Sequence, residues 1–570
     1  MALLTFKGGI HPDDGKSLAK DKAIVEVKPK GDLVYPVSQH IGAPANPVVA
    51  VGDHVLKGQM IAEAGGFVSA PIYASVSGTV KAIAPHLNPT GGRVNSIVIE
   101  NDGEYKEVEY PEVTPLEDMS KEDILNAIGT AGVVGMGGAG FPTRVKLSPK
   151  EPEKIDYIIA NCAECEPLLR LHRQLLEKYA KEIIDTFHMI GETVGAKEVI
   201  IGIKKAYTAT IEAVKAVMGQ YPEVRLGLLD EVYPAGDEVV LIYETTGKVV
   251  RPGGLPIESG VAVFNVETVY NVYRALNEKT PVEDKLVSVV AEVEHPITVR
   301  VPIGTPLEEV VALAGGVTTK DAVYFVGGPM MGNIGTGAQP VTKTTNAILV
   351  LPKDHHIIQK KLKKNSIDMK RAAACCCQCT MCTDLCPRHL LGHPIEPNKF
   401  MLAATCKDVQ EPNIFINTLF CSSCGLCEMY SCFQGLSPRS LMAEYKGGLR
   451  ANGIRPPKVE AKPVGPEREY RKVPMERLMA RLDLTRYNRE APLDESAVPV
   501  KTVRILLSQH IGAPASAIVK AGDMVTKGQM IAEPGKGLSV GIHASVNGLV
   551  TEVNEKYIVI ESQEGRAGNE

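Results

Sequence analysis

Tryptophan is absent from the 570 residues, and Phe, Trp and Tyr together make up only 5%. Platforms that stack single-stranded nucleic acid need aromatic side chains in number. A formal net charge of −5 offers no basic footprint for a phosphate backbone either. Nucleic acid is therefore excluded as a partner. Long apolar runs are also missing. Segments such as Ala347–Leu351 are strand-sized, far short of the roughly 20 residues of a membrane helix, so no direct membrane span is expected. The opening MALLTFKGGIHPDDGK lacks the apolar core of a secretory signal. A cytoplasmic location follows, where thiols seldom pair as disulfides. The length corresponds to roughly three to five domains.

Cysteine, by contrast, is concentrated. Cys376, Cys379, Cys382 and Cys386 are spaced C-x2-C-x2-C-x3-C and followed by Pro387. Cys421, Cys424, Cys427 and Cys432 repeat the spacing with one extra residue before the last. This is the bacterial two-cluster ferredoxin spacing, in which the fourth cysteine of each run reaches the other cluster. Two [4Fe–4S] clusters are predicted, one on Cys376, Cys379, Cys382 and Cys432, the other on Cys421, Cys424, Cys427 and Cys386. Zinc wants four ligands, usually in two pairs, and leaves the two triplets unexplained. Cys375 and Cys377 flank the first ligand, so a shift of one residue stays open. Cys432 lacks the Pro that follows Cys386. Cys406 reads as a small buried hydrophobe.

The two ends of the chain repeat each other. Ser38–Pro44 (SQHIGAP) returns as Ser508–Pro514, Lys57–Glu63 (KGQMIAE) as Lys527–Glu533, and Ala74–Gly78 as Ala544–Gly548, always at the same offset. Such duplication has to be recognised before a fold is assigned. Strand-like pieces at Ala23–Val27, Val48–Val51, Met60–Ala62, Ser75–Val80 and Ser96–Glu100 alternate with Gly turns, which predicts an all-β unit. The V-G-D-x-V-x-K-G-Q run resembles biotinyl/lipoyl barrel-sandwich domains. The modified Lys of those domains is missing from the turn Ala64-Gly65-Gly66-Phe67, and Lys536 in the second copy lacks the flanking pattern, so both copies read as structural, His40 and His510 included. Between the repeats, Ile155–Ala160, Val199–Ile203 and Val224–Leu229 read as strands alternating with helices, which argues for a parallel sheet. Leu286–Glu292 and Ile297–Val301 read as a hairpin, Pro306–Ala314 as a helix, Val323–Val326 and Ala347–Leu351 as further strands, and Lys353–Lys370 as a basic helix.

A second site is written in glycine. The stretch Ala131–Lys146 (AGVVGMGGAGFPTRVK) lets backbone N–H groups approach an anion closely, with Lys146 as a point charge. Alone it is equally a flexible turn. Asn161-Cys162-Ala163-Glu164-Cys165-Glu166-Pro167 follows the first strand of the predicted sheet, and ligands bind at such strand ends. Cys162 and Cys165 have no second pair and read as small packing residues.

Together with a third piece, Gly254-Leu255-Pro256 through Asn265-Val266-Glu267-Thr268, which contains GVAVFNVET, these pieces resemble the flavin subunit of respiratory complex I. With TFKGGIHP, GGPMMG and LCPRHLLGHPIEP they resemble the RnfC family more closely, including its cobalamin-reductase branch, over nearly the whole chain. The resemblance implies a multidomain fold: an N-terminal barrel-sandwich domain at 1–115, a Rossmann-like α/β domain for FMN and NADH at 116–285, a β-grasp (SLBB) module at 286–352, a two-cluster ferredoxin domain at 353–450, a linker wrapping the others at 451–500, and a C-terminal barrel-sandwich repeat at 501–570. It puts FMN on Gly135, Gly137, Gly138, Ala139, Gly140 and Lys146, with Asn265 as a later flavin contact. Asn161, Glu164 and Glu166 fall on the flavin–nicotinamide edge, with Glu164 and Glu166 expected to be catalytic. Met136, Ala163 and Phe264 stand where complex I has Arg, Asp and Asn. The implied activity is NADH-linked electron transfer to or from a redox partner: a membrane Rnf-type complex, a ferredoxin or a soluble reductase. Through such partners the protein is expected at the inner face of the cell membrane. The alternatives are a relay or scaffold without NADH oxidation, and a cobalamin reductase.

Overall fold

The computed structural model describes residues 28–39, 43–65, 69–88, 92–109, 119–148, 155–495, 502–507, 514–535, 541–554 and 556–562. His40, His510, Lys536 and the strand expected at Ala23–Val27 lie outside them.

Both repeats are present, but they interleave instead of forming two barrels. Gly548–Asn554 of the second copy pairs antiparallel with Ala50–Val55 of the first, Pro514–Ala517 with Met60–Ala64, and Ile542–Ser545 with Lys57–Gly58. One eight-stranded and one seven-stranded sheet are built from strands of both copies. The physical reason is size: a unit this small buries too little of its own surface, and each half closes its core on the other. Equivalent residues meet at the junction. Tyr35 Oη bonds both Ser75 and Ser545, and Lys57 and Lys527 both pair with Glu107 and Glu283. A Cβ at Gly58 (φ +86°) would lie 0.9 Å from the Gly528 nitrogen, so only glycine lets the two backbones cross.

The α/β domain carries four parallel strands in the spatial order Val224–Leu229, Glu198–Lys204, Tyr157–Cys162, Val261–Asn265. Apolar, β-branched runs buried on both faces make these strands. The crossover helix Ala180–Val194 turns Ile183, Phe187, Ile190 and Val194 inward and stops at left-handed Gly195. The first three strands add in one direction; the fourth returns to the other side of the first. The order therefore reverses between Tyr157–Cys162 and Val261–Asn265, and such a switch point opens a crevice at the strand ends.

The β-grasp module forms a six-stranded sheet whose hairpin is Asp284–Ala291 with Ile297–Pro302, packed under the helix Leu307–Leu313. The 451–500 segment wraps the other units by adding strands to them: Val473–Pro474 pairs with Val232–Tyr233, and Leu493–Asp494 with Ile297–Pro302. The single helix expected over Lys353–Lys370 is two, His356–Leu362 and Asn365–Cys375, broken at Lys363 and Lys364. Cys406 is exposed, not buried. Phe400, Met401, Ala403 and Ala404 take the buried face of its helix, and Cys406 lies two positions on, on the opposite side.

Candidate flavin and cluster sites

Asn161 and Asn265 end neighbouring strands in direct register, side by side at the switch point. The glycine loop passes over them. A Cβ on Gly137 would sit 2.5 Å from Asn265 Nδ2, while one on Gly138 would meet nothing within 4 Å. Gly137, Gly138 and Ala139 are exposed and face this open space, whereas Gly140 (φ +69°) turns the chain back into the fold. Gly135 N donates to Phe141 O (2.8 Å) and Met136 N to Thr268 Oγ1 (2.9 Å), so the rims of the loop are fixed and its tip is free. Exposed backbone above a strand switch point suits the phosphate and ring of a mononucleotide. Lys146 does not point into the open space. Its Nζ donates to Val263 O (2.6 Å) and lies over the Phe264 ring.

Asn265 Oδ1 accepts from Glu267 N and caps the helix Val266–Tyr273, while its Nδ2 donates to His172 Nε2 (3.2 Å). Glu267, buried, lies 2.5 Å from Lys285 Nζ. Burial opposes its ionisation, but Lys285 and then His172 hold its carboxyl down at about 2. Asn161 Nδ2 donates to Gly236 O (3.0 Å), and its Oδ1 accepts from Ala163 N (3.1 Å). Glu164 adopts φ +39°; its Oε1 accepts from His172 N (2.7 Å), and Oε2 lies 3.8 Å from Arg173 Nε. Burial raises its pKa.

Glu166 is bound to the β-grasp module. Its two oxygens accept from Met330 N (2.9 Å) and Met331 N (3.1 Å) in the Gly327–Gly332 loop of the β-grasp module. Burial pushes this carboxyl up to about 7 against the pull of those two N–H groups. A Cβ on Gly328 would lie 2.3 Å from the Glu166 carboxyl, so the glycines of GGPMMG make its seat. Met136, Ala163 and Phe264 all face the interior, with Phe264 edge-on to Phe187. Cys162 is buried beside the half-buried Cys165, as packing residues are.

The eight cysteines gather into two quartets. Cys376, Cys379, Cys382 and Cys432 line one pocket, and Cys386, Cys421, Cys424 and Cys427 another. Cys377 also lines the first pocket. Among the described residues no three His, Cys, Asp or Glu side chains close on a point where a single metal ion would sit. The extra residue of the second run is taken up by a π turn at Cys427–Ser431, which delivers Cys432 to the far pocket. Burial, reinforced by the neighbouring thiols, pushes Cys382 up to about 12; burial also pushes Cys386 to about 12 and Cys424 and Cys427 further. Four such thiols ionise together only around a polycationic core, and an iron–sulfur cluster supplies one. Ser423 N and Gln378 Nε2 donate to Cys421 Sγ (3.3 Å) and Cys376 Sγ (3.2 Å), as hydrogen bonds to cluster sulfurs do.

The segment Val232–Asp237 joins the two kinds of site, and nothing in the sequence pattern pointed to it. Gly236 O holds Asn161 at the flavin crevice. Tyr233 Oη donates to Cys424 O (2.6 Å), and Asp237 pairs with Arg388 (2.9 Å), two residues after Cys386. A second joint runs through Arg439, whose Nη1 donates to Met330 O (2.9 Å) while its Nη2 faces Glu428 (3.4 Å), next to Cys427. The sequence signals on the partner side were the GGPMMG stretch, which holds Met330, and LCPRHLLGHPIEP, which holds Arg388.

A mononucleotide crevice joined through one protein segment to cysteine quartets defines an electron-transfer protein of the flavin and iron–sulfur class. Residues 128–274 match the Nuo51 FMN-binding domain, 4–104 together with 485–566 the RnfC barrel sandwich hybrid domain, 286–333 the SLBB domain, and 375–437 a 4Fe-4S dicluster domain. The chain is 41% identical over 448 residues to the cobalamin reductase PduS of Salmonella typhimurium, which covers 78% of this chain and 97% of that protein. It is 35% identical over 391 residues to a component of the Na+-translocating ferredoxin:NAD+ oxidoreductase complex of Acetobacterium woodii, covering 68% of this chain and 85% of that one. The like-named component of the proton-translocating complex of Clostridium ljungdahlii is 37% identical over 393 residues, with 68% and 83% covered. A solved NAD+-reducing [NiFe]-hydrogenase matches 60% of the chain at 20% identity and a TM-score of 0.39, too low to carry an argument. The chain belongs to the RnfC-like family of FMN- and iron–sulfur-binding electron-transfer oxidoreductases. The match of its two ends to one barrel-sandwich domain agrees with the interleaved repeats. No helix among the described residues is long and apolar enough to cross a membrane.

Proposed function

We propose that this protein exchanges electrons between NAD(H) and a redox partner, using FMN at the switch point and two [4Fe–4S] clusters in the cysteine quartets. The observation that carries the reading is the Val232–Asp237 segment, which touches Asn161 on one side and the Cys424 and Arg388 loops on the other. Gly135, Gly137, Gly138, Ala139 and Gly140 offer backbone to the flavin, Asn161 and Asn265 line its polar edge, and Lys146 braces the loop from below. Cys386, Cys421, Cys424 and Cys427 hold the cluster nearer the flavin; Cys376, Cys379, Cys382 and Cys432 hold the outer one. When bound, FMN supplies the conversion between a two-electron hydride carrier and one-electron centres. Glu164 and Glu166 shape the nicotinamide edge through what they hold: Glu164 fixes His172, and Glu166 fixes the Met330 loop. The relatives point to a partner in a ferredoxin:NAD+ oxidoreductase complex or to a corrinoid as acceptor, and to a cytoplasmic protein that sits at the membrane in the first case.

A second reading, an electron relay without its own NADH oxidation, is favoured by Met136, Ala163 and Phe264. They are 0%, 0% and 3% exposed and put no polar group on the nicotinamide side. Anaerobic incubation with NADH and a viologen dye separates the two: the dye colours if NADH is oxidised and stays colourless in a pure relay. Iron analysis of the same sample is expected to give about eight irons per chain.

A further inference from the structure

A cavity of about 710 Å³ lies where the ends of His356–Leu362 and Asn365–Cys375 meet Pro438–Ala451. Lys361, Lys363, Lys364 and Arg439 reach it. Its carboxylates are already engaged: Asp368 by Ser437 and Arg371, Glu444 by Asn365 (2.8 Å). Lys360 is spent on the carbonyls of Gly435 and Leu436. The amines of Lys363 and Lys364 are exposed and make no hydrogen bond or ion pair among the described residues. Among the described residues Lys361 Nζ hydrogen-bonds only Asn333 Oδ1, at 3.4 Å, and lies over the face of Phe325, with Glu428 and Glu166 in electrostatic reach. Unpaired cations crowded together on a chain of net charge −5 repel one another, and an anionic surface relieves that repulsion.

The cavity also reaches the electron path. Ser423, which lines it, belongs to the loop between Cys421 and Cys424 and donates its N–H to Cys421 Sγ. Met331 lines it too, next to the Met330 that Glu166 and Arg439 hold. Met331 is 52% exposed. An apolar spot ringed by lysines is how short-lived electron-transfer contacts are built: small in area, steered by charge.

We propose that this cleft docks an acidic one-electron carrier protein, which exchanges electrons with the cluster of Cys386, Cys421, Cys424 and Cys427 without using the outer quartet. The inference rests on the reading of that quartet as a cluster site. Each encounter moves one electron between carrier and cluster, with no bond made or broken and no proton moved. The test uses anaerobic holoprotein and a bacterial ferredoxin of net negative charge as probe. The exposed double variant Lys363→Glu/Lys364→Glu is expected to weaken ferredoxin binding about tenfold or more at low salt and to flatten its salt dependence. Its NADH–viologen activity should be unchanged, because a small dye needs no docking site. Cys379→Ser, which removes the outer site, should keep ferredoxin-linked electron exchange, and adding the two lysine reversals should abolish it. Unchanged ferredoxin affinity in the double variant overturns the proposal. So does binding of inorganic pyrophosphate at the lysines with no ferredoxin binding, which makes the cleft a small-anion site. Wild type that binds ferredoxin through the lysines yet never reduces viologen upholds the docking and refutes NADH oxidation instead.

Discussion

Gly137 and Gly138 are neighbours with different reasons for being glycine. A side chain on Gly137 collides with Asn265, whereas one on Gly138 enters open space. Gly138→Leu is therefore expected to leave the apoprotein within about 0.5 kcal/mol of wild type, as exposed substitutions usually do, while FMN is lost on desalting. Gly137→Leu must displace Asn265 and should cost about 1–3 kcal/mol as well. Flavin-to-protein ratio and thermal midpoint, measured together, separate the two; flavin retained by Gly138→Leu would move the site elsewhere. Glu166 makes a different point. As the second acid after a strand end, it reads in the sequence as a nicotinamide-edge residue. In the structure both its oxygens are taken by Met330 and Met331. Glu166→Gln sets an amide donor against one of those N–H groups, which should cost on the order of 1–3 kcal/mol. The expected kinetic result is a lower kcat with little change in KM for NADH. A raised KM at unchanged kcat would return Glu166 to the nucleotide.

The elements show what a sequence can and cannot disclose. The parallel strands were legible because Val199–Ile203 and Val224–Leu229 are short apolar runs between helix-period segments, and they lie where expected. The quartets were legible because ligand spacing is local. Their expected assignment across runs rests on the spacing type, and the two pockets group the thiols the same way. The π turn at Cys427–Ser431 was not legible: one added residue can lengthen a loop or insert into a helical turn, and spacing does not distinguish these. The Val232–Asp237 segment and the Glu166 seat were invisible because both partners of each contact are far apart in the chain and ordinary in type. One consequence is specific to the crossed quartets. Cys386→Ser, although in the first run, should remove the cluster of the second and leave about four irons. Because Arg388 and Tyr233 tie that loop to the flavin domain, it should also slow reduction of the surviving cluster by NADH. Loss of the outer cluster instead would refute the crossed assignment.

At the scale of the whole molecule, the chain's two ends are one body, and the duplication puts like charges face to face across it. Asp53 meets Asp523, and Glu63 meets Glu533, its own equivalent in the second copy. Burial first, and then the facing carboxylate, pushes Asp53 up to about 10 and Glu63 to about 8, with the Asp523 backbone N–H and then Lys520 opposing the rise at Asp53. Both native values exceed those of the unfolded chain, so the folded state binds the extra protons. Stability from these groups is fully present below about pH 4 and is lost as the pH rises toward 8 for Glu63 and 10 for Asp53. The prediction is a loosening of the joined repeats, not of the flavin domain, as the pH rises above about 4. Asp53→Asn should remove most of it: the amide oxygen can still accept from Ala50 N, as Oδ2 does now at 2.7 Å, and no charge then faces Asp523. Its thermal midpoint should fall less steeply than that of wild type as the pH rises from about 4 to 9. Hydrogen exchange at Gly548–Asn554 and Ala50–Val55, the strands that join the copies, should show where the wild type opens. Parallel midpoint curves for the two proteins across that range would mean that the carboxylates are relieved by something other than protons.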